Sequence, residues 1–349
     1  MKNKYGTTPS KYSDVFIQHD LSVHSKKFLS ASYSLQTWKK NFSAMNSLKN
    51  FSKDSNVDVS FPLNTETVIK FTEWCKIKKC LKPTTIRSYL SSLSIAHKLR
   101  NLDHSSCSNF ISKQMLKGME NLEFYVIRHK KTRKVMTLPL LKLAGSEISR
   151  QNWPSESKQV IWTLLTTAFF GSFRLGELLS KSEKSFNPAE DLLWEDVTFR
   201  DDNSILIKIK FPKYRKIEGE YIDLFPFKGH QCCPVASLKK LRKMCFKEGM
   251  EKRPVFMFKN RKLVTPKEIN RILPLLLQKH MGSSAKEYLG HSLRPAIASA
   301  LANDPETASD SEIRKWGRWN SNSYLLYCRL KIEQKRFLFG MIKNVLNKQ

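Results

Sequence analysis

Acidic side chains are scarce in this sequence. It has 31 Asp and Glu residues against 61 Lys and Arg residues, which gives a formal net charge of +30 at pH 7. The excess is spread evenly, because residues 1–135 hold 24 basic and 9 acidic residues while residues 136–349 hold 37 and 22. The basic excess extends along the whole chain and is not confined to a detachable tail. Such a distribution is typical of a protein that lies against a polyanion.

Long apolar runs and regularly spaced cysteines are also missing. The most apolar window, residues 160–173, is interrupted by hydroxyl side chains and is too short to span a bilayer. It therefore predicts a buried helix, and no transmembrane segment is expected. The 7 cysteines are odd in number and irregularly spaced, which argues against a disulfide framework and favours reduced thiols. Cys75 with Cys80, and Cys232 with Cys233, lack the paired spacing of a structural zinc site, so neither a metal nor a cofactor is expected.

The first half of the chain has the periodicity of helices. Pro83 suits the first turn of a helix, and Ile86, Leu90 and Leu93 follow at spacings of three or four residues. The predicted organisation is a flexible basic tail (residues 1–30), an all-helical domain (31–127), a basic linker (128–135) and a second domain (136–349) that includes a C-terminal helix.

The second domain is predicted to be α+β, mainly helical with a small antiparallel sheet. Residues 204–211 alternate apolar and polar side chains, and residues 221–227 provide a partner strand, so a hairpin is expected. Helices are predicted to begin at Pro234 and at the capping box Thr265–Glu268. Pro274 is expected to kink or end the second of these helices.

Four residues in a fixed chain order indicate the chemistry: Arg174, His291, Arg294 and Tyr327. Two guanidinium groups can each donate paired hydrogen bonds to the non-bridging oxygens of a phosphodiester. Charge stabilisation of this kind makes a tyrosine hydroxyl an effective nucleophile, and a histidine can move the proton. The set needs no metal. Its expected substrate is double-stranded DNA.

Local spacing predicts how two of these groups are held. His291 and Arg294 are three residues apart, and Ser292 followed by Pro295 predicts that a helix begins there, with both side chains on one face. Glu177 follows Arg174 at the same spacing, so its carboxylate is expected to hold Arg174.

The sequence resembles the tyrosine recombinase (phage integrase) superfamily at three stretches: Phe173–Leu178, Gly290–Arg294 and Ser311–Arg329. The two C-terminal stretches are most similar to recombinases of eukaryotic DIRS-like and Crypton-like mobile elements. The resemblance implies a helical core-binding domain followed by a tyrosine-recombinase catalytic domain. It also implies that Arg174, His291 and Arg294 contact the scissile phosphate and that Tyr327 is the nucleophile.

Three positions carried over from this resemblance have alternatives. The catalytic lysine of the family lies in a β-hairpin, which favours Lys213 here, with Lys216 second. The sixth catalytic position holds Arg318 where many relatives have histidine or tryptophan, and its neighbour Trp319 is the alternative. Tyr324 competes with Tyr327, but only Tyr327 begins the tyrosine-x-arginine ending of the family.

The predicted function is a site-specific DNA recombinase or integrase that works through a 3′-phosphotyrosyl intermediate, for integration or excision of a mobile element. A homotetramer on paired DNA sites and a nuclear location are expected from the resemblance. One alternative is a type IB topoisomerase-like enzyme that nicks and reseals DNA. A second is a catalytically silent, transposon-derived DNA-binding protein.

Overall fold

Two units, residues 1–131 and 132–349, make up the chain, and each has a hydrophobic core of its own. They are seen in a computed structural model that describes residues 12–13, 15–17, 21–126, 134–210, 219–227, 229–302 and 308–319. The division between the two units falls between Lys131 and Thr132.

The first unit is all-α in its described part. Its helices are α1 (Val23–Ser32), α2 (Leu35–Ser55), α3 (Thr65–Ile77), α4 (Pro83–Lys98) and α5 (Phe110–Val126), with a 3₁₀ turn at Ser105–Ser108 before α5. Pro83 occupies the first turn of α4, and Ile86, Leu90 and Leu93 are buried on one face of it, as the sequence predicts.

Aromatic side chains fill the core of the first unit. The rings of Phe51 and Phe71 pack edge to face with centroids 5.7 Å apart, and Trp74 joins them at 5.9 Å from Phe51. The described part of the predicted tail differs from expectation, because it includes α1 and because Phe16 is fully buried against Trp38. Burial of a phenylalanine ring outweighs the polar composition of the surrounding sequence.

In its described part, the second unit combines helices with one small sheet. Its helices are α6 (Leu138–Arg150), α7 (Ser155–Phe170), α8 (Leu175–Leu178), α9 (Pro234–Cys245), α10 (Pro266–Met281), α11 (Ala296–Ala302) and α12 (Asp310–Gly317), and its strands are β1 (Val197–Phe199), β2 (Ile205–Ile209) and β3 (Glu220–Leu224). The prediction of an α+β unit with a small antiparallel sheet is confirmed.

The sheet has the order β1-β2-β3, and all its pairs are antiparallel. The predicted hairpin is β2 with β3, in register from Ile205 opposite Leu224 to Ile209 opposite Glu220. Ile205, Ile207 and Ile209 are buried in the same core as the central residues of α7. The short strand β1 completes the sheet and has no strong signal in the sequence.

Helix α10 does not end at Pro274, which was one of the two outcomes that the sequence predicts. Helix α10 begins at the predicted capping box but continues through Pro274 to Met281. Leu273, Leu276 and Leu277 on both sides of the proline are buried, and this packing offsets the backbone hydrogen bond that proline cannot make. Within the described ranges, no helix combines the length and the apolar character that crossing a bilayer requires.

Adjacent leucines of α10 provide a matched test of this packing. Leu276 is 1% exposed, whereas Leu275 is 59% exposed. We predict that Leu276→Ala lowers the free energy of unfolding by about 2–5 kcal/mol, because it opens a cavity in the core. Leu275→Ala is predicted to change it by less than about 0.5 kcal/mol. Urea unfolding measures both, and equal losses would contradict the observed orientation of α10.

Candidate active site

Arg174 lies just after the end of α7. Ser172 adopts a left-handed backbone conformation with φ 48°, and the Phe173 N–H bonds the Ala168 carbonyl at 3.1 Å, which closes the helix end. Phe173 then turns into the core and is fully buried. Arg174 follows as the N-cap residue of α8, with its side chain 30% exposed.

Glu177 holds Arg174 at two points. Its Oε1 accepts a hydrogen bond from Arg174 Nη1 at 2.6 Å, and its Oε2 accepts one from the Arg174 backbone N–H at 2.9 Å. The predicted pairing of these two residues is therefore confirmed. The carboxylate is almost fully buried, with 4% of the side chain exposed, and it also forms ion pairs with Arg318 and Arg294.

Arg294 is a buried arginine held by backbone carbonyls. Its Nη1 donates to the Ser172 carbonyl and its Nη2 to the Gly317 carbonyl, each at 2.7 Å. Nη1 also lies 3.7 Å from Glu177 Oε2, and the guanidinium lies 5.2 Å from the ring centre of Trp319. Burial, followed by repulsion from Arg174, lowers the pKa of Arg294 to about 10, so the group is still charged at neutral pH.

Arg318 reaches the same carboxylate from the end of α12. It caps that helix in a left-handed conformation with φ 56°. Its Nη2 bonds Glu177 Oε2 at 3.1 Å and the Ser172 carbonyl at 3.0 Å, and its Nη1 bonds Glu220 Oε2 at 3.2 Å. The left-handed backbone costs an arginine about 1 kcal/mol, which these charged hydrogen bonds offset.

Arg174, Arg294 and Arg318 around Glu177, here called the arginine cluster, keep a net positive charge. Burial alone would raise the pKa of Glu177, but Arg318, the Arg174 N–H, Arg294 and the Arg174 side chain together lower it below its ordinary value. Glu177 is therefore ionised at neutral pH. Among the described residues, three guanidinium groups face two carboxylates, Glu177 and Glu220, which leaves one positive charge in a partly buried place. Such a place favours a singly charged anion such as a phosphodiester.

His291 is not placed on a helix as predicted. It stands in a 3₁₀ turn, Gly290–Ser292, and α11 begins only at Ala296, after Pro295. The expectation of one helix face for His291 and Arg294 is therefore wrong: His291 is exposed, while Arg294 is buried. The physical reason is that Pro295 disfavours helical backbone at the residue before it.

A glycine lets the histidine turn approach the segment that carries Arg174. A Cβ added to Gly290 would lie 2.0 Å from Cδ1 of Leu175, the residue after Arg174. The Gly290 N–H donates to Asn270 Oδ1 at 2.9 Å, which ties the turn to α10. Gly290 is therefore a position where any side chain would push Leu175 aside.

Arg174, Arg294 and Arg318 are thus brought together, whereas Lys213, Lys216, Tyr324 and Tyr327 lie outside the described residues. Sequence reasoning missed Glu220. The signal was present, because Glu220 precedes the buried Ile222 and Leu224 in an alternating strand and so occupies an inward-facing position.

Cys233 has a structural role in this unit. The Sγ of Cys233 accepts hydrogen bonds from the backbone N–H of Phe227 at 3.2 Å and of Ala236 at 3.4 Å, at the start of α9. Within the described ranges, no cluster of three or more His, Cys, Asp or Glu side chains has the arrangement of a metal site.

The carboxylate at the centre of the cluster predicts a pH-dependent stability. Glu177→Gln is predicted to lower the free energy of unfolding by about 3–5 kcal/mol at neutral pH, because buried arginines lose their partner. The pKa of Glu177 is lower in the folded chain than its ordinary value of 4.5. Its stabilisation is therefore fully present above that value and is lost as the pH falls through the lowered folded pKa.

The difference in the free energy of unfolding between the original chain and Glu177→Gln is thus predicted to become smaller below about pH 4.5. Chemical unfolding at pH 7, 5, 4 and 3 measures it. Glu66→Gln is the control, because Glu66 pairs with Lys70 on the surface, and we expect little change in the unfolding midpoint. A constant difference at all four pH values would contradict the assignment.

Comparison with solved structures identifies the fold. Neither a protein-family model nor a curated protein matches the sequence. The XerH site-specific recombinase bound to palindromic difH substrate, a post-cleavage complex, is similar with a TM-score of 0.59 and 13% identity, over 92% of this chain and 83% of that chain. The Tn1549 transposon integrase in complex with circular intermediate DNA is similar with a TM-score of 0.57 and 11% identity, over 94% and 98%.

A lambda integrase dimer bound to a COC′ core site is similar with a TM-score of 0.54 and 13% identity, over 88% of this chain and 77% of that chain. These similarities extend across both units. At such low identity they show the fold and not the activity. The chain has the fold of a tyrosine recombinase, with an all-α unit followed by an α+β unit.

Proposed function

We propose that this protein is a site-specific DNA recombinase or integrase that cleaves and rejoins DNA strands through a 3′-phosphotyrosyl intermediate. The observation that carries the proposal is the convergence of Arg174, Arg294 and Arg318 on the buried Glu177. Recombinase and integrase structures share the fold in which this convergence occurs. The net charge of +30 supports DNA as the partner.

In the proposed reaction, the hydroxyl oxygen of Tyr327 attacks the scissile phosphorus. A tyrosyl phosphodiester forms on the 3′ side, and the bond to the 5′ oxygen breaks. His291 takes part in proton transfer, and Lys213 gives the leaving 5′ oxygen its proton, with Lys216 as the alternative donor. Attack by a 5′ hydroxyl of a partner strand reverses these steps and releases the tyrosine. The phosphotyrosyl bond conserves the energy of the original diester, so no nucleotide triphosphate is needed.

The three arginines have different parts in this proposal. Arg174 has the most exposed side chain of the three, at 30% against 10% for each of the others, so it is the group that a backbone phosphate meets first. Arg294 supplies a charge that its carbonyl partners already orient. Arg318 occupies the sixth position and contributes charge, since its terminal nitrogens bond protein groups.

The biological setting is part of the proposal. Similarity of the C-terminal sequence to DIRS-like and Crypton-like recombinases supports integration or excision of a eukaryotic mobile element, and hence a nuclear location. Exchange of strands between two DNA sites requires four cleavages, which supports a tetramer of this chain on paired sites.

The nucleophile is tested by covalent trapping. The purified protein first selects DNA duplexes from a random pool. These duplexes are then prepared with a nick at successive positions. Cleavage near the nick releases a short fragment, which prevents rejoining and traps the covalent intermediate. We predict a covalent protein–DNA adduct that Tyr327→Phe abolishes. Tyr324→Phe is the matched control and is predicted to keep the adduct. Denaturing gel electrophoresis measures both.

The outcomes separate the alternatives. Adducts together with recombinant products from paired sites support the proposal. Relaxation of supercoils without recombinants would replace it with a topoisomerase-like activity. Specific binding without an adduct at any nick position would replace it with a DNA-binding role.

A further inference from the structure

The outer face of helix α9 is basic. The helix has 12 residues, of which four are Lys or Arg and none is Asp or Glu. Its apolar residues Val235, Leu238 and Leu241 are buried in the core of the second unit, whereas its cations are exposed. The reaction proposed above uses none of these cations. The outer face of α9 is therefore a charged surface without a part in that reaction.

A concave pocket of about 480 Å³, here called the α9 pocket, lies on this face. Its lining combines cations with aromatic rings: Phe199, Lys239, Arg242, Lys243 and Phe246. Phe199 belongs to β1, and the other four residues follow along α9 and its C-cap at spacings of three, one and three. The volume falls within the range of known ligand pockets, about 300–1,000 Å³. The pocket thus offers a ligand both positive charge and apolar surface.

Arg242 is held in this pocket by aromatic rings. Its guanidinium lies 4.6 Å from the ring centre of Phe199 and 5.1 Å from that of Phe246. The ring of Phe246 packs edge to face with Trp194, with centroids 5.7 Å apart. A cation–π contact orients the guanidinium but leaves its N–H groups able to donate. Arg242 is therefore positioned to give two parallel hydrogen bonds to a carboxylate.

The cations of the α9 pocket have no acidic partner among the described residues. Lys239 Nζ donates to a neutral amide, Asn203 Oδ1, at 2.6 Å, and neither Arg242 nor Lys243 forms an ion pair there. Elsewhere in the same unit surface cations are paired, as Arg200 is with Asp223 at 2.6 Å. Three positive charges therefore stand together without compensation beside two aromatic rings.

The α9 pocket is separate from the arginine cluster. Phe199 pairs with Ile205 at one end of the sheet, whereas Glu220, which contacts Arg318, pairs with Ile209 at the other end. Four residues of strand separate Ile205 from Ile209, which corresponds to about 13 Å at the usual rise of a strand. The pocket is therefore a second site on this unit and not an extension of the first.

The mixture of charge and rings decides between possible ligands. A DNA duplex presents phosphates outside and keeps its bases stacked inside, so it has no group to cover apolar rings. Unpaired bases bind by stacking on ring faces, but Arg242 lies over a face of both Phe199 and Phe246. A second copy of this chain is disfavoured, because its net charge is also +30. A peptide can cover the rings with one side chain and bring carboxylates to the cations.

We propose that the α9 pocket binds an acidic peptide segment of a partner protein, in which carboxylates flank a leucine or an aromatic residue. Arg242 binds one carboxylate with paired hydrogen bonds, and Lys239 and Lys243 attract its neighbours. The apolar side chain lies against Phe199 and Phe246. This docking site is independent of the recombinase function and would let a partner bind while the arginine cluster holds DNA.

The test begins with random dodecapeptides displayed on phage, selected on the purified protein. Duplex and single-stranded DNA are present in excess, so that surfaces that bind nucleic acid are occupied. The salt concentration is 150 mM, at which charges are screened over about 8 Å and diffuse attraction is weak. We expect the selected peptides to carry Asp or Glu next to Leu, Phe or Trp. A failure to select peptides, or selected peptides without carboxylates, would overturn the proposal.

Fluorescence anisotropy then gives the Kd of each selected peptide after synthesis with a label. We expect Arg242→Gln to weaken binding about tenfold or more, because a paired charge-assisted hydrogen bond is lost. Replacing the carboxylates of the peptide by amides is expected to cause a similar loss. Lys240→Gln is the matched control, since it removes the same charge from α9 but does not line the pocket. It is expected to change the Kd by less than about twofold, and equal losses for the two variants would overturn the proposal.

Arg242→Gln is also compared with the original chain in the covalent trapping assay, after circular dichroism has verified its fold. We expect the same rate of adduct formation within about twofold, since the α9 pocket has no part in the reaction. A large loss would assign the pocket to DNA and overturn the proposal. Failure of the proposed function is recognised separately, because the original chain would then form no adduct while its peptide binding would still depend on Arg242.

Discussion

Burial of one carboxylate among three guanidinium groups is the interaction on which the second unit depends. Glu177 joins Arg174 from the end of α7, Arg294 from the turn before α11 and Arg318 from the end of α12. Isolated, each of these charges would be costly to bury. Together they pair with one another, and the Ser172 and Gly317 carbonyls accept further hydrogen bonds from the terminal nitrogens of Arg294 and Arg318. Segments that are distant in sequence are thereby held at one place, with positive charge left over for an anion.

The same interaction links the sheet to the cluster. Glu220 extends the network from Arg318 to the first residue of β3, and Lys210 fixes the end of β2 through Asp196. The end of β2 and the start of β3 are therefore each held by an ion pair.

Local signals explain what the sequence could predict. The capping box that begins at Thr265 marks the start of α10, and Pro83 marks the start of α4. Arg174 and Glu177 pair at a spacing of three residues. Features that depend on tertiary packing were not predicted from the sequence, or were predicted wrongly. Helix α10 passes Pro274 because buried leucines hold both sides, and Phe16 is buried within a polar stretch. Glu220 and Arg318 are 98 residues apart, and no periodicity joins them.

The arginine cluster is proposed to bind the phosphate that Tyr327 attacks. Mass spectrometry of the trapped adduct tests this proposal most directly. Trypsin releases residues 319–329 as one peptide that contains both Tyr324 and Tyr327. After nuclease trimming, we expect the mass of a 3′-linked nucleotide on this peptide, and fragment ions that place it on Tyr327. A nucleotide on Tyr324, or on a residue outside this peptide, would contradict the account.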